Sequence, residues 1–153
     1  MTEIVKIPSA ILKKGTTSVP EKDILSGKYA DLIEEMRAAM KEHNGIGLAA
    51  NQLGHNVSIF VIDKKTADAY EKPDVYINPE VTEYSNDADE IEEGCLSVPQ
   101  YYIPISRSKK VKLKALSETG EKLKIKARGF LARVFQHETD HLNGITIKDR
   151  HGK

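Results

Sequence analysis

An α+β fold is predicted, with mixed or antiparallel sheets wrapped around a central metal-bearing helix. Three observations carry this. Apolar residues recur at helical spacing near each end of the chain, β-branched and alternating runs fill the stretch between, and the second helical stretch contains HExxH. At 153 residues the chain suits one domain, 1–153, with a core large enough to need no disulfide.

The elements follow in order. Tyr29, Leu32, Ile33, Met36 and Met40 form a helical stripe between Ser26-Gly27 and Asn44-Gly45, a start and a stop. VSIFVID (57–63) is a short β-branched and aromatic strand, and DVYINPEVTEY and KKVKLKALS alternate as strands do. SETGE (117–121) turns KKVKLKALS into KLKIKA, a hairpin. Thr66 to Lys72 and the acidic stretch Ser85 to Glu93 read as loops. From Gly129, residues Phe130, Leu131, Val134, Phe135 and Leu142 return to helical spacing and stop at Asn143-Gly144.

Formal net charge is zero with both signs interspersed, so no nucleic-acid or membrane binding is expected. The most basic block, Lys109 to Lys114, alternates with apolar residues as the wet face of a strand. The N-terminus has no signal-peptide pattern and no apolar run is long enough to span a bilayer, so a cytoplasmic protein is expected. The one cysteine, Cys95, has no internal disulfide partner.

QHETDHLNG (136–144) puts His137 and His141 four residues apart, on one helix face, where both can grip one metal ion. A catalytic site needs a third ligand. The extended pattern HExxHxxGxxH fails because Ile147 stands at the final position, and no glutamate follows Glu138. The ligand therefore comes from upstream, unless Asp149 or His151 folds back. Cys95, in EEGCLSVPQ, is the best upstream candidate, since a thiolate binds iron and zinc strongly. A lone cysteine is more often a small buried hydrophobe, and HExxH arises by chance in helices. A structural zinc site, however, wants four ligands and is usually cysteine-rich, so three ligands and an open position fit better. GIGLAANQ (45–52) has the glycines of a dinucleotide fingerprint, with Asp63 as a ribose ligand, but a helix precedes it and a strand follows, the reverse of what that motif needs.

Taken together, GIGLAANQ, EGCLS and QHETDH closely resemble, in order and spacing, the three signature motifs of peptide deformylases. The resemblance implies removal of the formyl group from N-formylmethionyl nascent peptides, releasing formate. It implies one divalent metal ion on Cys95, His137 and His141, with Fe2+ expected in vivo and Zn2+ or Ni2+ in purified protein. Glu138 is then the acid–base catalyst, while the Gln52 amide and the Leu96 backbone NH stabilise the oxyanion. Ile46, Ile91, Phe130 and Val134 are expected to hold the methionine side chain, with Gly47 letting the peptide backbone lie alongside like an added strand. Glu93 and Arg107 are expected to pair and fix the cysteine loop. The chain stops after ITIKDRHGK without the C-terminal helix of longer bacterial members, similar to short deformylases of some bacteriophages, which puts ribosome docking through that helix in doubt. Tyr102 stands where many relatives carry an arginine facing the substrate. A monomer is expected, in a bacterial or infected-host cytoplasm. The alternatives are an HExxH metallopeptidase or amidase of other specificity and a non-enzymatic metal-binding module.

Overall fold

A computed structural model describes residues Thr2–Gly152. Three helices open the chain: α1 (Ala10–Lys13), α2 (Glu21–Leu25) and α3 (Ala30–Glu42). The predicted stripe lies on α3, which buries Ile33, Met36, Ala39 and Met40. Strand β1 (Gly47–Ala49), a 3-10 turn (Ala50–Leu53), β2 (Ile59–Ile62), α4 (Lys64–Ala69) and β3 (Val75–Tyr84) follow. Next come β4 (Ala88–Cys95), β5 (Val98–Ser108), β6 (Lys110–Leu116), β7 (Lys122–Arg128), α5 (Gly129–Leu142) and α6 (Ile147–Arg150).

The strands form two sheets, β1-β2-β3-β6-β7 and β4-β5, and every pairing between them is antiparallel. Helix α5 lies against the larger sheet. Its Phe135 ring meets Tyr76 edge-on at 4.9 Å and Phe60 at 6.0 Å between centroids. These rings share a core with Ile62, Leu113, Ile125 and Leu131. A second core forms where the α3 stripe meets Leu48, Ile59, Val61 and Val75.

Two segments read as loops are regular elements. Lys64–Ala69 is helical because Asp63 caps it, its carboxylate accepting from the Thr66 backbone NH and hydroxyl at 3.3 Å each. Asp63 is thus a capping residue. Ala88–Cys95 is a strand whose side chains are exposed from Ala88 through Glu92, so no hydrophobic alternation marks it. Pairing with β5, from Ala88 opposite Ser108 to Glu93 opposite Ile103, holds it extended.

Candidate metal centre

Helix α5 is buried on nearly every side, including its polar residues Arg133, Gln136, Glu138, Thr139, Asp140 and His141. Only bonded or functional groups persist in such surroundings. One helical turn apart, the His137 and His141 rings lie 5.0 Å from each other. The end of β4 brings Cys95 to them, with its Sγ 3.1 Å from His141 Nε2. One donor atom from each of the three lies within 4.8 Å of the others. Asp149 does not fold back to them: its carboxylate accepts from the Thr146 backbone NH at 2.8 Å and from its hydroxyl, capping α6. His151 lies exposed beyond that helix.

Behind the donors, His137 Nδ1 donates to Glu93 Oε1 at 2.9 Å, which turns Nε2 toward the site. Arg107 grips the same carboxylate with two bonds of 3.0 Å, and Arg133 Nη1 donates to it as well. Arg107 also donates to Asp140 at 2.5 Å, and Arg150 of α6 adds two bonds to Asp140 at 3.0 and 2.8 Å. The Glu93–Arg107 pair is therefore a buried junction and not a solvated surface pair. Burial alone raises the Glu93 pKa, but His137 and Arg107 hold it down to about 2.

Without metal, burial raises the Cys95 thiol while His141 and His137 bring it well below its ordinary value. Burial likewise lowers His137, and Glu138, Cys95 and Glu93 together carry it well above. The thiolate is favoured where the donors converge, as a ligand must be. Glu138, at 4% exposure, is pushed up by burial. Its Oε1 has no hydrogen-bond partner and its Oε2 lies 3.9 Å from His137 Nε2.

A cleft of about 1030 Å³ opens onto these groups. Ile46, Gly47, Gln52, Ile91, Leu96, Phe130 and Val134 all line it, with Cys95, His137 and Glu138. Val134 is buried, whereas Ile46, Ile91 and Phe130 are 42%, 49% and 48% exposed and form an open apolar rim. Gly47 sits on β1, one edge of the larger sheet. A Cβ there would fall 2.6 Å from Glu138 Oε2, so close approach of the carboxylate also demands glycine. The Tyr102 ring packs over Gly94, where a Cβ would lie 2.7 Å from it.

Gln52 is held at both ends of its amide. Oε1 accepts from the Ala49 backbone NH at 2.9 Å, while Nε2 donates to Ser97 Oγ at 3.0 Å and lies 3.8 Å from Cys95 Sγ. Ser97 and Asp140 stand inside the motifs EGCLS and QHETDH, yet spacing gives no hint of their contacts. Arg133 was legible only as one residue of a helix, and its pairing with Glu93 spans 40 positions.

Cys95, His137 and His141 could hold one ion with three protein donors, where closed structural zinc sites use four. The family match puts the chain among metal-dependent hydrolases. The chain belongs to the polypeptide deformylase family, whose model matches residues 1–153. It is 42% identical over 148 residues to a peptide deformylase of Prochlorococcus marinus, covering 97% of this chain and 72% of that one. The structure of a Thermotoga maritima peptide deformylase superposes with a TM-score of 0.89 at 37% identity, covering 100% of this chain and 99% of the other. A deformylase of the Vibrio parahaemolyticus bacteriophage VP16T, in complex with actinonin, gives 0.84 at 33% identity over 94% of this chain and 98% of its own.

Proposed function

We propose that this chain acts as one catalytic domain that removes the formyl group from N-formylmethionyl nascent peptides. The observation carrying this is the convergence of Cys95, His137 and His141 beside the buried Glu138 carboxylate at the wall of an apolar-rimmed cleft. One thiolate and two imidazoles suit a divalent transition ion, and Fe2+ in the cell, with Zn2+ or Ni2+ replacing it on purification, fits that mixed donor set. Such an ion supplies Lewis-acid chemistry and makes hydroxide available from water near neutral pH.

The remaining steps fall to side chains. Glu138 has a free Oε1 and a raised affinity for protons, so it takes the proton of the attacking water and later gives it to the departing α-amine. The formyl oxygen becomes an oxyanion. Gln52 Nε2, fixed in place by Ala49 and Ser97, donates to it together with the Leu96 backbone NH. Val134 with the rim of Ile46, Phe130 and Ile91 takes the methionine side chain, and the peptide lies along Ile46 and Gly47 at the sheet edge. Nascent chains place the enzyme in the cytoplasm, in a bacterium or an infected host. A monomer suffices, because five of the seven large exposed hydrophobics among the described residues, Ile46, Ile91, Tyr101, Tyr102 and Phe130, line the cleft, and only Leu25 and Tyr84 lie outside it.

Formate release from formyl-Met-Ala, compared with acetyl-Met-Ala and unblocked Met-Ala, tests the reading. Turnover of the formyl peptide alone is expected. Cleavage of internal peptide bonds would favour a general metallopeptidase, and metal retention without turnover would favour a binding module.

A further inference from the structure

The β6–β7 hairpin sets like charges directly opposite one another. Lys110 faces Arg128, Lys112 faces Lys126 and Lys114 faces Lys124, and Lys122 continues the column opposite Leu116. All seven cations are exposed, while Val111, Leu113, Ala115, Ile125 and Ala127 on the other face are buried. Like charges directly opposite destabilise a strand pair. Glu83 and Glu80 on β3 reach Lys112 at 2.7 Å and Lys114 at 3.5 Å. Among the described residues, no carboxylate lies within 4.0 Å of Lys110, Lys122, Lys124, Lys126 or Arg128.

Edge protection explains lysines on β7, the outermost strand, but not a second matching column on β6. Seven cations against two carboxylates leave this face five charges positive. With 23 of each sign in the whole chain, overall neutrality conceals a locally positive face. The ladder is narrow, about 5 Å between columns, and at about 3.4 Å per residue the Lys110–Lys114 column runs about 14 Å. Its first rung also borders the substrate cleft, since Lys110 and Arg128 line both the cleft and a groove of about 470 Å³ beside it.

We infer that this ladder docks on the phosphate backbone of double-helical RNA, holding the cleft mouth beside it. The choice of RNA rests on the proposed action on nascent peptides, which are made on RNA. A single strand would want a series of aromatic platforms for its bases, and Tyr84 is the one aromatic among the residues lining the groove beside the ladder. A membrane surface would want apolar side chains interleaved with the charges, and those of the hairpin point inward. Sequence-independent contact to phosphates needs only the paired cations. Such docking departs from the expectation, drawn from net charge, that no nucleic acid is bound.

The test is fluorescence anisotropy of a labelled RNA duplex of about 20 base pairs with metal-replete protein, titrated between about 50 and 200 mM salt. Wild type should bind, and with about four phosphates contacted its affinity should fall roughly 10²-fold across that range. Lys122→Gln, Lys124→Gln and Lys126→Gln together should weaken binding about 10-fold or more and flatten the salt slope by about 3, with a melting temperature no lower than wild type because cross-strand repulsion is relieved, and with formyl-Met-Ala turnover unchanged. Glu80→Gln with Glu83→Gln should tighten it. Absence of duplex binding at low salt, equal affinity of the lysine variant, or binding only to phosphatidylserine vesicles would overturn the inference. Formate release is read separately on the same samples, so loss of the reaction reading is distinguishable from loss of the surface.

Discussion

Gly47→Ala makes a direct test of the acid–base assignment, because it perturbs Glu138 without altering any proposed ligand. The added methyl carbon would sit 2.6 Å from Glu138 Oε2 and 2.9 Å from both Cδ and Cγ, where ordinary contact begins at 3.4 Å. The carboxylate must therefore retreat by about 0.8 Å, and a misplacement of about 1 Å near the reacting groups costs on the order of 10²-fold. That loss corresponds to about 2.7 kcal/mol of transition-state stabilisation. Glu138 is buried, so crowding also strains the fold by about 1–3 kcal/mol. Metal content should stay at one ion per chain, since the three atoms nearest the new methyl all belong to Glu138 and none to Cys95, His137 or His141. Formate release on metal-replete samples gives kcat and KM, and thermal melting gives the stability term. A kcat within about threefold of wild type, with the metal retained, would refute the reasoning, because a displaced base cannot serve both proton transfers as well as an undisplaced one.

Other substitutions separate the remaining roles. Glu138→Ala should keep its metal, which Cys95→Ala should lose, while kcat falls by about 10²- to 10⁴-fold; metal analysis and turnover on one preparation decide this. Gln52→Leu should lower kcat by about 10²- to 10³-fold. It should also lower the melting temperature, because the Ala49 NH and Ser97 hydroxyl lose their partner. Normal turnover per bound metal would make Gln52 a purely structural residue. Glu93, with its pKa moved from 4.5 to about 2 in the metal-free protein, binds its proton less readily folded than unfolded. Its contribution, on the order of 3 kcal/mol, is full above about pH 4.5 and is lost as pH falls toward 2. Denaturant titrations of the metal-free protein and of Glu93→Gln between pH 2 and 6 should converge at the acid end, and parallel curves would contradict the assignment.

The amino-acid sequence by itself determined what depends on local period. The stripe on α3, the alternation of β6 and β7 and the shared face of His137 and His141 follow from the helical and pleated repeats, which act over a few residues. Exclusion of Ile147 and of a downstream glutamate left Cys95 as the best upstream candidate, and the three motifs together made the family legible. Tertiary structure decided whatever depends on distant pairing. Strand β4 has no hydrophobic alternation, and its extended form comes from β5. The convergence of Arg107, Arg133 and His137 on Glu93 joins positions up to 44 residues apart, and only packing puts all of them out of water. Gly47 read as room for a peptide, yet the atom nearest to it belongs to Glu138, 91 positions away. Register had the same authority over charge. Lys112 read as the wet face of a strand and Lys126 only as part of its hairpin partner, and one residue of slippage would have set them on opposite faces. Their repulsion exists because the hairpin turn fixes which residue meets which.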